Sequence, residues 1–238
     1  MKNTILAPIF GAAMVAGMAS AGAAGAVTME TFDLSINGCS STCFGTGVTS
    51  LGTVTVTEDA GALDFSVDLS GAAFNVAGKS GTHHSLSFNI ESTGTTDPVT
   101  GVGIAVSSTT PDFTGSTAGG FKASPFGTFE DAVDYTGSLK SNGTSNPTSL
   151  SFVVTDSQGN LTLDNLTANS VTSFGKIYLA ADVFANRQTG NVGAPGGTIS
   201  IATPEPGSWA LMVIGVGLMG ASLRTRRRNA LALAPARI

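Results

Sequence analysis

Residues 62 to 70 read ALDFSVDLS, and the alternation within them decides the fold class. Successive side chains of an extended strand project to opposite faces, so Leu63, Phe65, Val67 and Leu69 share one face while Asp64, Ser66 and Asp68 share the other. Such a segment buries one face and wets the other, as strands of an antiparallel sheet packed on a core do. The same short alternating texture returns at LGTVTVTE (51 to 58), HSLSFNIE (84 to 91), SLSFVVTD (149 to 156), NLTLDNL (160 to 166), KIYLAADVF (176 to 184) and GTISIA (197 to 202). Gly, Asp, Asn and Pro bound these runs, and no long apolar segment in the middle of the chain keeps a helical period. Seven or more strands with frequent turn signals predict an all-β fold, an antiparallel β-sandwich or a jelly-roll-like arrangement.

Local pairing follows from turn chemistry. In SFVVTDSQGNLTLDNL the cluster Ser157, Gln158, Gly159 and Asn160 predicts a hairpin, because Gly159 and Asn160 tolerate positive φ. The stretches 91 to 103 and 107 to 121 are rich in Gly, Ser and Thr and are expected to be long surface loops.

The chain ends differ in kind from this middle. Met1 to Ala26 has the layout of a secretory signal: Lys2 supplies the positive start, Ile5 to Met18 the apolar run, and Ala24 and Ala26 the small-residue cleavage pair. Cleavage is expected after Ala26, with Ala21 and Ala23 as the alternative pair, which makes the Sec export machinery and signal peptidase expected partners. At the other end, residues 203 to 228 read TPEPGSWALMVIGVGLMGASLRTRRR. The 15 residues from Trp209 to Leu223 carry no charge. As a helix they would reach roughly 22 Å, short of the about 30 Å of a bilayer core but able to insert, which by itself fits a permanent single-pass anchor as well as a segment that is cut away. Trp209 would then sit at the outer interface, with Arg224, Arg226, Arg227 and Arg228 on the cytoplasmic side.

This stretch resembles the PEP-CTERM sorting signal of Gram-negative bacteria in its PEPxxWA form. Pro204, Glu205, Pro206, Trp209 and Ala210 are followed by the apolar span and then by Arg224, Arg226, Arg227 and Arg228. The resemblance implies an exosortase-type membrane enzyme as partner, which recognises the signal and cleaves near the Pro-Glu-Pro triplet. It also implies transient anchoring in the inner membrane, delivery to the outer surface or the extracellular matrix, and a structural or adhesive role in exopolysaccharide or biofilm. The tail NALALAPARI (229 to 238) departs from the pattern, whose members usually stop at or just after the arginines. A second, less specific similarity to exported proteins of this class lies in Ala180 to Val183, in Thr189 to Ala194, and in HHSLSFNI. The expected organisation is thus a signal peptide (1–26), an acidic β-sandwich ectodomain (27–203), the sorting signal (204–228) with a transmembrane segment (209–223), and a short tail (229–238).

Charge limits the partners of the middle segment. Residues 27 to 203 hold fifteen acidic residues against Lys79, Lys122, Lys140, Lys176 and Arg187, a formal charge of −10. Nucleic acid is therefore not an expected partner, since phosphate binding needs a basic footprint.

The side chains able to do chemistry are few. Cys39 and Cys43 are the only cysteines, and in an exported chain they are expected to form a disulfide that rigidifies their loop. A zinc site would need two further ligands, and C-x-x-x-C is not the redox C-x-x-C pattern. His83 and His84 are the only histidines. As strand neighbours they would point to opposite faces, which leaves a lone general base or a cross-strand role. Glu58 with Asp59, and Glu130, Asp131 and Asp134, invite comparison with the paired carboxylates of glycosidases, while Asp156, Asn160 and Asp164 offer oxygens of the type Ca²⁺ takes. Neither pattern matches a known motif. The triplets starting at Asn142, Asn160 and Asn165 fit the N-glycosylation pattern but read as chance matches in a Thr-rich chain. The expectation is a non-enzymatic protein with no catalytic residue, cofactor or metal. The alternatives are a polysaccharide-binding module with its site in loops at one end of the sandwich, and a secreted hydrolase. Against sugar stacking, the ectodomain has no Trp and only Tyr135 and Tyr178.

Overall fold

The computed structural model describes residues 27–39, 43–44, 49–75, 84–92, 98–107, 109, 112–117, 119–137, 146–171 and 173–202, with residues 216, 217, 219, 220 and 224 of the C-terminal segment. Eleven strands of four residues or more carry the fold among them: β1 (Val27–Asp33), β2 (Gly52–Asp59), β3 (Ala62–Leu69), β4 (Leu86–Ile90), β5 (Gly103–Val106), β6 (Phe113–Ser116), β7 (Asp131–Tyr135), β8 (Ser149–Thr155), β9 (Leu179–Ala185), β10 (Gln188–Ala194) and β11 (Gly197–Ala202). One antiparallel sheet has the order β11, β1, β2, β3, β8, β5. The other runs β10, β9, β4, β7, β6, with short pairings at Ile36–Asn37 on β10, Ala73–Phe74 on β9 and Leu166–Thr167 on β4. The architecture is all-β and sandwich-like.

The pattern that predicted this fold is realised in β3. Leu63, Phe65, Val67 and Leu69 are buried, whereas Ser66 and Asp68 are exposed and Asp64 is half-buried. Phe65 stacks on Phe152 of β8 at 4.6 Å between ring centroids, and Phe88 of β4 reaches across from the other sheet to within 5.0 Å of Phe65. Each such ring pair adds about 0.5–1.5 kcal/mol beyond area burial.

The other face of the second sheet is covered as well. A smaller cluster of Ala123, Phe126, Phe129, Ile177 and Ala180 packs there, with half-buried Ile36, Val171 and Phe174 around it. Two short hairpins bring these residues over the sheet, Phe121–Lys122 with Thr128–Phe129 and Asn169–Val171 with Gly175–Ile177. As a result all five residues of β4 are buried, including Ser87 and Asn89, which alternation alone assigns to a wet face. Asn89 meets the cost of burial by accepting the Glu130 N–H at 2.9 Å.

Three local expectations are corrected. Residues 160 to 166 do not return as a strand beside β8, because both edges of β8 are already paired: Phe152 faces Phe65 on one side and Val106 on the other. Gly159 does take positive φ (68°), and Asp156 Oδ1 accepts the N–H groups of Gly159 and Asn160, but the chain then crosses to the β2–β3 turn, where Leu161 N donates to Gly61 O at 3.0 Å. Leu163–Asn165 forms a single 3₁₀ turn instead. The expected loop at 107 to 121 contains β6, anchored by buried Phe113. The run 176 to 184 is split at Tyr178, whose N–H bonds Ala194 O, so Gly175–Ile177 pairs outward and β9 starts at Leu179.

The topology gives the sandwich two distinct ends. Val27 faces Ala202 and Thr28 faces Glu58, so the start of β1 and the end of β11 lie together at the end that also holds the β2–β3 turn. At the opposite end Gly52 faces Leu69, and there the β1–β2 connection and the β9–β10 turn meet: Asn186 Nδ2 donates to Phe44 O at 2.7 Å.

Candidate functional site

The connection between β1 and β2 carries the cysteine pair. Cys39 and Cys43 are joined by a disulfide, as their spacing in an exported chain predicts. The loop is held from several sides. Gly38 N donates to Asn191 O at 3.0 Å, Asn37 Oδ1 accepts the Cys39 N–H at 3.0 Å, and the ring of Phe44 is buried in the main core. Gly190 lies beneath the disulfide, where a Cβ would stand 3.0 Å from Cys39 Sγ. The disulfide thus fixes a plug at this end of the sandwich.

Beside the plug is an open hollow of about 400 Å³, lined by Ala72, Asn146, Thr148, Phe184, Asn186 and Arg187 among others. The two-residue turn Asn186–Arg187 closes β9 on β10, with Ala185 facing Gln188 and both turn residues at positive φ (50° and 65°). That turn sets exposed Arg187 next to the half-buried ring of Phe184, so a cation, an aromatic face and amide groups border one hollow. Sequence reasoning placed a possible site in loops at one end of the sandwich but did not name these residues. The usable signal was ANRQ between two alternating runs, a tight turn.

The acidic candidates are dispersed. Asp131 and Asp134 lie three apart on β7 and so point to opposite faces. Asp131 faces inward beside Phe88, is buried, and accepts the Ile90 N–H at 3.1 Å. Burial pushes its carboxyl up to about 6; the Ile90 hydrogen bond opposes the rise and nearby Glu130 adds to it. Asp134 points outward and meets His84, with Nδ1 at 3.0 Å from Oδ1, while the Phe121 ring stands edge-on to the imidazole at 4.9 Å. His84 and Asp134 link the start of β4 to β7, fifty residues apart. Ser85, next to His84, accepts the Tyr135 N–H and donates to Asn75 O. Asn75 Nδ2 in turn donates to buried Asp182 Oδ2 at 2.9 Å. His83 lies outside the described residues.

Glu58 Oε2 accepts the Leu163 N–H at 3.2 Å, while Asp59 is exposed at the β2–β3 turn. Asp156 Oδ1 serves the amides of its own turn, as described above. Among the described residues no group of three or more His, Cys, Asp and Glu side chains is placed to hold a metal ion.

Of the sorting residues read from the sequence, Pro204, Glu205, Pro206, Trp209, Ala210, Arg226, Arg227 and Arg228 lie outside the described residues, as does the stretch 1–26 that is expected to be a signal peptide. Arg224 is helical and exposed, and Val216 and Met219 are helical with more than half their surface exposed. Among the described residues no helix is long and apolar enough to cross a membrane.

Residues 202–228 match the family model of the PEP-CTERM protein-sorting motif. The motif marks an exported protein with a C-terminal sorting signal that an exosortase-type enzyme processes. Neither a curated protein nor a solved structure matches the chain.

Proposed function

We propose that this chain is a non-enzymatic surface or matrix protein, structural or adhesive, whose β domain is delivered to the exterior of a Gram-negative cell by its C-terminal signal. The observation that carries the reading is the motif match at residues 202–228, set directly on the last strand of the sandwich. On this reading Met1 to Ala26 is removed on export, Trp209 to Leu223 anchors the chain transiently in the inner membrane, and the exosortase-type enzyme then releases the domain. Deletion of residues 204 to 238 in the native host tests it. The intact chain is expected at the outer surface or in the exopolysaccharide matrix, with cell cohesion depending on it, and the truncated chain in the periplasm. Unchanged location and cohesion would sink the reading.

A second reading is supported by the hollow at the disulfide end. Phe184 offers an apolar face, and Asn186 and Arg187 offer hydrogen bonds and a positive charge suited to an acidic polysaccharide. Affinity electrophoresis in exopolysaccharide purified from the host is expected to retard the domain and to lose that retardation in Phe184→Ala and Arg187→Ala. Equal mobility of all three rejects this reading. A hydrolase is less favoured, because Asp131 and Asp134 point to opposite sides of their sheet rather than facing each other across a groove.

A further inference from the structure

The last strand and the sorting motif share a residue: β11 ends at Ala202 and the motif begins there. Pairing continues to that residue. The β1–β11 register runs from Phe32 opposite Gly197 to Val27 opposite Ala202, with no unpaired stretch before the motif. Only residues 203 to 208 then separate the sheet from Trp209, and six residues extend to about 20 Å at most. Pro204, Glu205 and Pro206 lie within that span. An enzyme that cuts near the triplet must therefore work in a narrow gap between a folded domain and the membrane. Proteolysis of a segment tied to a fold follows the population of its locally opened form.

β11 is also weakly held. Among the described residues it pairs on one side only, with β1, while β1 keeps β2 on its other side. Thr198, Ile199 and Ser200 are exposed, Ile199 to 64%, so release of this middle part of the strand uncovers little of the core. Elements with few buried apolar contacts open locally without global unfolding.

We infer that β11 leaves β1 when the sorting enzyme engages the chain, and that the β1–β11 ladder sets the rate of processing. The inference rests on the sorted-and-cleaved reading above and makes the folded domain part of the substrate. Release of β11 doubles the extended chain available between the domain and the membrane.

Thr31 and Thr198 face each other in this ladder. Thr31→Cys combined with Thr198→Cys locks the two strands with a disulfide in the oxidising compartment. Full-length wild type, each single variant and the double variant are expressed in the native host, and the mature C-terminus is followed by mass spectrometry. The double variant is expected to be processed at least about tenfold more slowly than either single variant. Dithiothreitol is expected to restore its rate, with treated wild type controlling for Cys39–Cys43. A double variant that is locked on a non-reducing gel yet processed at the single-variant rate overturns the inference. A wild-type chain that is never cut overturns the sorting reading and the inference together. Hydrogen exchange on the purified full-length chain gives a readout independent of the enzyme: β11 amides are expected to exchange at least about tenfold faster than those of β2 and β3. Equal protection rejects the inference even where cleavage occurs.

Discussion

The ring of Phe88 in one sheet lies 5.0 Å from that of Phe65 in the other, tilted by 31°, and Phe88 also stacks on Phe152 at 5.6 Å. Phe88 is fully buried and is the residue through which β4 grips the opposite sheet. Phe88→Ala is expected to cost about 3–5 kcal/mol and Phe88→Leu markedly less, measured by urea denaturation. An alanine variant within about 1 kcal/mol of wild type would show that the sheets are held elsewhere.

Asp131 makes stability depend on pH. Its carboxyl is raised from 3.8 to about 6 in the fold. The folded state therefore holds the proton to higher pH than the unfolded chain. The stability this group contributes is complete below pH 3.8 and is lost as pH rises through about 6. Asp131→Asn keeps an oxygen for the Ile90 N–H and is expected to be more stable than wild type at pH 7, with the difference vanishing toward pH 4. Denaturation midpoints at several pH values check this; a gap that stays constant with pH would show that Asp131 does not titrate in this range.

Two glycines with similar backbone angles should respond unequally to alanine. Gly61 (φ +80°) lies against Gly159, whose carbonyl oxygen would stand 1.9 Å from a new Cβ, whereas a Cβ at Gly71 (φ +74°) would meet no atom of the described residues within 4 Å. Gly71→Ala is expected to cost the left-handed strain alone, about 1–2 kcal/mol. Gly61→Ala should cost clearly more, because the 156–161 segment must move off the β2–β3 turn. Comparable melting temperatures for the two variants would refute that contact.

Removal of the disulfide by Cys39→Ser with Cys43→Ser is expected to cost about 2 kcal/mol by the loop-entropy argument. The loss should appear first at the plug. Hydrogen exchange around Phe44 and the Asn186–Arg187 turn should rise before that of β2 and β3. Uniform loosening of the whole domain would mean that the plug is not a separate unit.

Alternation was a sound guide wherever one face of a strand met the core and the other met water, as in β3. It misjudged β4, because the hairpins bearing Phe126, Phe129 and Ile177 cover the polar face, and their own residues are too sparse in apolar pattern to announce a third layer. It also promoted residues 160 to 166 to a strand. Those residues alternate well, but no local signal says that Val106 already occupies the edge of β8 where they would pair. At the candidate sites, the presence of only two cysteines in a chain with export signals pointed to the Cys39–Cys43 bridge. The union of His84 with Asp134, and of Phe184 with Asn146 around one hollow, depends on contacts between distant parts of the chain. The sorting residues were legible for the opposite reason, since their order within one short segment carries the signal.

The placement of Val27 beside Ala202, at the end away from the disulfide plug, also has a mechanical consequence. Tension between the plug and the C-terminal segment runs along β11 and loads all its rungs with β1 in shear at once, the direction in which a strand ladder is strongest. Traction applied sideways at Ala202 breaks the same rungs one after another. A single edge strand is thereby stiff as a tether and yielding to a grip at its end.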